Sequence, residues 1–195
     1  MLNQLCMRLM DNIELLHFFF VASEEQFLIF SILVSFLHKE GHVGQLARDA
    51  LLHCMSLSKK NDSVGNYIAA NSNFCTVLAT GLSALYSSLP RHLPKSLTRD
   101  PTFHRITEQD ISPMQELKEF LSSLMFCDAV VSIAHDKIRD HLLALVYMGF
   151  LVPVMGPALT QVIKIYNLLN FVISDFDPLS RVTIFKMIQS RNLQR

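Results

Sequence analysis

The sequence predicts an all-α fold, and three observations carry that reading. Apolar residues recur near a 3.6-residue period along most of the chain, and no stretch alternates convincingly as a strand would. Six Gly and seven Pro are few for 195 residues and gather at a handful of places, which suits long helices with sharp breaks. Half of the residues are hydrophobic and only 17% are charged, against roughly 25% in an ordinary soluble domain. Either much of the chain is buried, or an apolar face is left for something else to cover. Consecutive helices of about 12–20 residues with short turns suggest an α-solenoid of the armadillo or HEAT type. No repeat of fixed period proves it, and a closed helical bundle is the competing architecture.

The elements follow in order. Residues 2–22 read as a first helix, with Leu5, Leu9, Ile13 and Leu16 near one stripe. Ser23 with Gln26 three positions on resembles a capping box and opens a helix over 24–38. Phe27 through Leu37 leave that helix almost no polar face, which predicts burial between neighbours. Gly41 and Gly44 mark the turn out. A cleanly amphipathic helix spans about 45–58, with Leu46, Ala50, Leu51, Cys54 and Leu57 on one side. Asp62 or Ser63 can cap a short helix through Asn71. The helix over 73–89 carries Phe74, Val77, Leu78, Gly81, Leu82, Leu85 and Leu89 on one stripe. Gly81 in mid-helix costs about 1 kcal/mol against Ala, so a neighbouring helix should approach closely there.

Residues 90–111 form the long loop, with Pro90, Pro94 and Pro101. Ser112-Pro113-Met114-Gln115 supplies an N-cap, a Pro at the first helical position and a capping Gln. Leu117, Phe120, Leu121, Leu124, Val131 and Ala134 line the helix that follows. The next runs from Asp136 to Gly149 as its closing glycine. An elbow, a helix to about Ser174, and a last helix after Asp177-Pro178 complete the chain.

Lys+Arg and Asp+Glu each number 17, so no electrostatic footprint for nucleic acid or an anionic membrane is expected. Cys6, Cys54, Cys75 and Cys127 are far apart within apolar helical patterns, which suits reduced, buried thiols of the cytosol. The apolar run at Leu15–Ser23 follows Asp11 and Glu14, whereas a secretory signal has a basic start. Leu142–Leu159 holds eighteen residues without a charge, long enough for a membrane span. Gly149, Pro153, Gly156 and Pro157 interrupt it, so two buried helical pieces joined by an elbow fit better. A small membrane protein using 142–163 as a span is the rival reading.

No constellation carries catalysis. His38-Lys39-Glu40-Gly41-His42 has the wrong order for a zinc-protease helix, and the glycines end the helix that would hold the ligands. His53 and Cys54 are neighbours on a helix and point about 100° apart, so they are no nucleophile–base pair. Gly81-Leu82-Ser83-Ala84-Leu85 lacks the second Gly of a nucleophile elbow and follows no strand. No phosphate loop occurs, and the carboxylates are scattered over helix faces. The reading is therefore no enzyme, no catalytic or metal residues and no cofactor.

Several blocks resemble one family. They are Phe27-Leu28-Ile29-Phe30, Gly44 through Ser58, Val64 through Ala69, Phe74 through Arg91, Phe126 through Val131 and Gly149 through Leu159. Together they are similar to the Hook-interacting (FHIP) family, and their wording is nearer its early-endosomal branch. The match covers about residues 26–159. It divides the chain into a helical repeat segment at 1–160 and a divergent helical tail at 161–195.

The resemblance implies an α-solenoid scaffold that joins a Fused Toes protein and a Hook coiled-coil adaptor. Through Hook it would reach dynein, and through a Rab GTPase the early endosome, with the membrane engaged only indirectly and the protein cytoplasmic. Family members are much longer, which implies that this chain is an internal piece, from an incomplete gene model for instance. Arg48, Asp49, Tyr86 and Arg91 lie inside the matching blocks without being required for the core, and are the candidate partner-contact residues. The competing reading places Arg48 and Asp49 in pairs with neighbouring repeats and Tyr86 in half-buried packing.

Overall fold

The computed structural model describes residues 26–90 and 113–155, together with Gln4, Met7, Arg8, Phe20 and Val21. The fold is all-α, apart from one short antiparallel ladder. In it β1 (Phe20–Val21) pairs with β2 (Gln26–Phe27), Phe20 opposite Phe27 and Val21 opposite Gln26. Gln4, Met7 and Arg8 are helical, but the end of the helix expected over 2–22 is extended at Phe20 and Val21. The capping box is likewise overturned. Gln26 belongs to the ladder, and Phe27 precedes the next helix without a side-chain cap. A two-residue ladder offers the Gln26 backbone partners that compete with a helical turn.

Helix α1 (Leu28–Val34) is shorter than the expected 24–38. After it the chain tightens, with the N–H groups of Ser35, Phe36 and Leu37 bonded to the carbonyls of Ile32, Leu33 and Val34. Such three-residue spacing commonly closes helices. Ile29, Phe30, Leu33 and Val34 are buried, but Leu28 and Ile32 are exposed, so the helix has a free face after all. Gly41 then sits at φ +71°, a backbone conformation that favours glycine.

Helix α2 (Gly41–Lys60) begins there and runs for 20 residues, extending past the expected 45–58 at both ends. Gly44 is inside it, not in a turn. A Cβ at Gly44 would strike the backbone carbonyl of Lys39. Asn61, rather than Asp62 or Ser63, caps helix α3 (Asp62–Asn66), its side chain accepting from the N–H groups of Ser63 (3.0 Å) and Val64 (3.3 Å). A widened π turn, Tyr67–Asn71, completes the short helix expected through Asn71. Ser72 breaks the run, its hydroxyl donating to the Ile68 carbonyl at 2.6 Å and accepting from the Phe74 N–H at 3.4 Å. Helix α4 (Phe74–Ser88) departs at 53° to what precedes it.

The loop expected over 90–111 lies outside the described residues except for Pro90. Ser112 lies outside them also. Pro113 is in a turn, and the Met114 carbonyl accepts the first helical bond from Lys118 at 3.1 Å. Helix α5 (Gln115–Ile133) therefore starts later than the Pro would have it. Helix α6 (Asp136–Val146) passes into a π-helical stretch, Tyr147–Met155. Here the expected break fails. Gly149 does not close the helix, and Pro153 lies inside it. In an α-helix a Pro ring strikes the carbonyl four residues back, and the wider π turn carries the chain past it. The expected elbow at Gly156-Pro157 and the two last helices lie outside the described residues.

Two compact units partition the chain. The first takes Met1–Gly81 with Ala129–Leu145, and the second Leu82–Asp128 with Val146–Arg195. In the first, α1 packs on α2 and α2 on α3. Its core holds Phe27, Phe30, Leu51, Met55, Ile68, Phe74, Leu78 and Ile138, all buried. The second unit buries Leu82, Leu117, Phe120, Phe126 and Phe150. Three of the four cysteines, Cys54, Cys75 and Cys127, are buried.

Burial pushes the Cys75 thiol up to about 12, against 9.0 ordinarily. Since the thiolate is the reactive form, Cys75 should resist maleimide at pH 8 in the folded chain and react once it unfolds. Mass mapping of labelled peptides checks this, and rapid labelling under native conditions would contradict the packing.

Candidate partner-binding surface

Two of the four candidate residues share one small network in the first unit. Arg48 and Asp49 are half-buried neighbours on α2, and Gln45 lies three and four residues before them. The Gln45 amide donates to the Asp49 carboxylate at 3.1 Å. Its oxygen accepts from the Arg48 guanidinium at 3.2 Å. The other guanidinium nitrogen of Arg48 donates to the Leu37 carbonyl, also at 3.2 Å. One amide thus bridges two opposite charges. Arg48 also fastens the tight turn after α1, whose carbonyls lack ordinary helical partners. Gln45 is legible in hindsight, because three- and four-residue spacings bring side chains together on a helix.

Tyr86 belongs to the second unit. Its ring meets Phe120 edge-on at 5.7 Å and Phe150 at 5.4 Å. Phe120 and Phe150 are themselves 6.2 Å apart, so the three rings form a closed triangle. Edge-to-face pairs of this kind contribute about 0.5–1.5 kcal/mol beyond burial. Arg91 lies outside the described residues.

Burial raises the Tyr86 phenol above 10.0. A group whose folded pKa is raised contributes stability that is complete below its unfolded value and is lost as pH climbs through the folded one. Stability should therefore fall above pH 10, and Tyr86→Phe should remove that part of the fall. Urea midpoints measured from pH 8 to 11 test this, and identical slopes for both proteins would refute it.

Residues that sequence reasoning passed over hold the first unit together. His38 donates from Nε2 to the Val77 carbonyl at 3.1 Å. Its ring fills the space a side chain at Gly81 would need. The close approach expected at Gly81 is real, but the visitor is a histidine from the turn after α1 rather than a helix. His135 lies over Gly65 in the same way. Its Nδ1 accepts from the Lys137 N–H at 3.2 Å, and its Nε2 faces the Asp62 carboxylate at 3.4 Å. Lys137 donates to the Asn66 side chain at 2.7 Å, and His141 to the Ala69 carbonyl at 3.0 Å. These ties span 39 to 73 positions of sequence, beyond the reach of local periodicity.

Among the described residues, no group of three or more His, Cys, Asp or Glu side chains could hold a metal ion. Among the described residues one helix, Asp136–Met155, is long and apolar enough to cross a membrane, and 22% of its most apolar window is buried. Core helices of soluble proteins pass the same test.

A family model described as retinoic acid induced 16-like protein matches residues 1–172. An FHIP family protein of Culex quinquefasciatus is 49% identical over 169 residues, covering 83% of this chain and 17% of that protein. One of Anopheles gambiae is 47% identical over 174 residues, with 83% and 17% covered. One of Drosophila grimshawi is 44% identical over 184 residues, with 84% and 17% covered. The chain thus spans about 17% of the length of these curated relatives. The family match takes in both described stretches, with the α2 network and the aromatic triangle, and this chain belongs to the FHIP family of retinoic acid induced 16-like proteins.

Proposed function

We propose that this chain is a helical stretch of a non-enzymatic adaptor subunit. In this reading the whole protein joins a Fused Toes protein and a Hook coiled-coil adaptor. It is cytoplasmic, reaches early endosomes through a Rab GTPase, and couples them to dynein-based transport. The single observation that carries the reading is membership of the FHIP family. The all-helical fold supports it, since stacked helices present long surfaces to protein partners.

The contact residues proposed are Arg48, Asp49, Tyr86 and Arg91. Arg48 is the least free of the three described, because its guanidinium already serves the Leu37 carbonyl and Gln45. Asp49, half-buried at the edge of the network, is the better probe of the surface.

The test is co-precipitation from cells of a full-length FHIP polypeptide containing this segment. The unaltered protein should recover Hook, Fused Toes and the Rab. Recovery of none of them overturns the adaptor reading. Asp49→Lys, with its fold confirmed by circular dichroism, should reduce recovery of one partner, and undiminished recovery of all three removes Asp49 from the interface.

A second reading has one observation in its favour, the length and apolarity of Asp136–Met155. A small membrane protein spanning through 142–163 would stay in the pellet on carbonate extraction. A peripheral adaptor would be released.

A further inference from the structure

Helix α6 is capped by a histidine, where Ser, Thr, Asp or Asn is the usual residue. The His135 carbonyl accepts the first helical bonds, from the N–H groups of Ile138 at 2.9 Å and Arg139 at 3.1 Å. Its Nδ1 accepts from the Lys137 N–H at 3.2 Å. A backbone N–H can only donate, so Nδ1 carries no proton in this arrangement. The proton of the neutral ring is then on Nε2, which faces the Asp62 carboxylate of α3 at 3.4 Å. The ring also lies against Gly65 of α3, and the His135 N–H donates to the buried Ser58 hydroxyl near the end of α2.

We propose that His135 is an acid-sensitive pin. Neutral, it caps α6 and fastens that helix to α2 and α3. A proton on Nδ1 sets donor against donor at Lys137, removes the cap and loosens the first turn of α6. The other histidines in the first unit's ties are built differently. His38 and His141 each give a ring N–H to a carbonyl, of Val77 and of Ala69. A protonated ring still donates, so acid spares both bonds.

The surrounding charges set the direction. A cation at a helix N-terminus opposes the macrodipole, which disfavours the protonated ring. Asp62 favours it, but its side chain is 89% exposed, and exposed ion pairs contribute little. On α6, Asp136 and Asp140 are taken by Arg139, and the Lys137 amine by Asn66. Helix α2 ends in Lys59 and Lys60, both exposed, and the last turn of α5 carries no charge. Unfolding frees the ring to bind a proton without losing a cap. The unfolded state therefore takes up more protons in acid, and stability must rise with pH. The contribution of the pin is complete at pH 8 and is lost on acidification past about pH 6.5, where an imidazole ordinarily gains its charge. The pin lies wholly within the first unit and is independent of the adaptor reading.

Urea unfolding at pH 8 and pH 5 tests it, with the unaltered chain beside His135→Asn. Asparagine is a strong cap whose side-chain oxygen accepts a hydrogen bond at both pH values. The folded-to-unfolded ratio of the unaltered chain should fall on acidification about fivefold further than that of the variant, the usual value of a helix cap. Equal falls overturn the proposal. A smaller fall in the unaltered chain overturns it too, because the protonated ring would then be the stabilising partner of Asp62. Asp62→Asn should fall at least as far as the unaltered chain, and a shallower fall leads to the same rejection. If His135→Asn does not fold, hydrogen exchange of the unaltered chain decides. Protection of the Lys137 amide, corrected for intrinsic rate, should drop about fivefold between pH 8 and pH 5 relative to amides in the middle of α6. Constant relative protection overturns the pin.

Discussion

Phe30→Ala should destabilise the chain by about 3–5 kcal/mol, the range for removing a buried aromatic side chain. Phe30 is fully buried on α1. It stacks on Phe27 with ring centres 6.2 Å apart and planes 7° from parallel. It also meets Phe74 edge-on at 5.4 Å. The substitution deletes the shared member of both pairs, and a cavity remains between α1 and α4. Whole domains are stable by about 5–15 kcal/mol, so the loss is a large share of what holds the fold. Urea unfolding followed by circular dichroism measures it. Phe30→Leu should restore most of the stability, because near-conserved apolar volume usually costs under about 1.5 kcal/mol. A shift below about 1 kcal/mol for Phe30→Ala would mean that Phe30 is not a core residue.

That core was legible in the sequence because it depends on periodicity. Phe30, Leu51, Phe74 and Leu78 are buried where a 3.6-residue stripe puts them. The errors fall where another interaction competes with the periodic signal. Gln26 fits a capping box by spacing, yet its backbone is taken by the ladder with Val21. Gly149 and Pro153 read as breaks, yet a widened turn accommodates both. Leu28 and Ile32 counted toward a helix buried all round, although composition cannot say how many neighbours a helix has.

The candidate surface was legible in a weaker sense. Membership of the family-like blocks singled out Arg48 and Asp49, but only the folded chain reveals the Gln45 bridge and the bond to Leu37. Tyr86 was a candidate contact whose competing reading, half-buried packing, was the stronger of the two. Its two phenylalanine neighbours come from α5 and the Tyr147–Met155 stretch, and no local pattern could name them.

The same contrast between local and distant information fixes the outcome at two glycines. Exchanging a mid-helix Gly for Ala gains about 1 kcal/mol from backbone propensity alone. At Gly65 that gain should be outweighed. The new Cβ would stand 2.7 Å from Cγ of His135, 2.9 Å from Cδ2 and 3.1 Å from Cβ. His135 has little freedom to retreat. Its N–H donates to the Ser58 hydroxyl at 3.1 Å, and that hydroxyl donates to the Met55 carbonyl at 2.6 Å. The ring is held from its other side by the Lys137 N–H. Crowding a packed site costs about 1–3 kcal/mol, and displacing the ring also breaks a net contribution of about 0.5–1.5 kcal/mol per hydrogen bond. Gly65→Ala is therefore expected to destabilise the chain by about 1–3 kcal/mol. At Gly81 the obstacle is the exposed tip of His38, free to swing into solvent. One hydrogen bond, to the Val77 carbonyl, is lost there. That loss of about 0.5–1.5 kcal/mol roughly cancels the propensity gain, so Gly81→Ala should be near neutral. Denaturant midpoints of the two variants, measured side by side, make the comparison. Equal effects at the two positions would show that the anchoring of His135 does not restrain its ring.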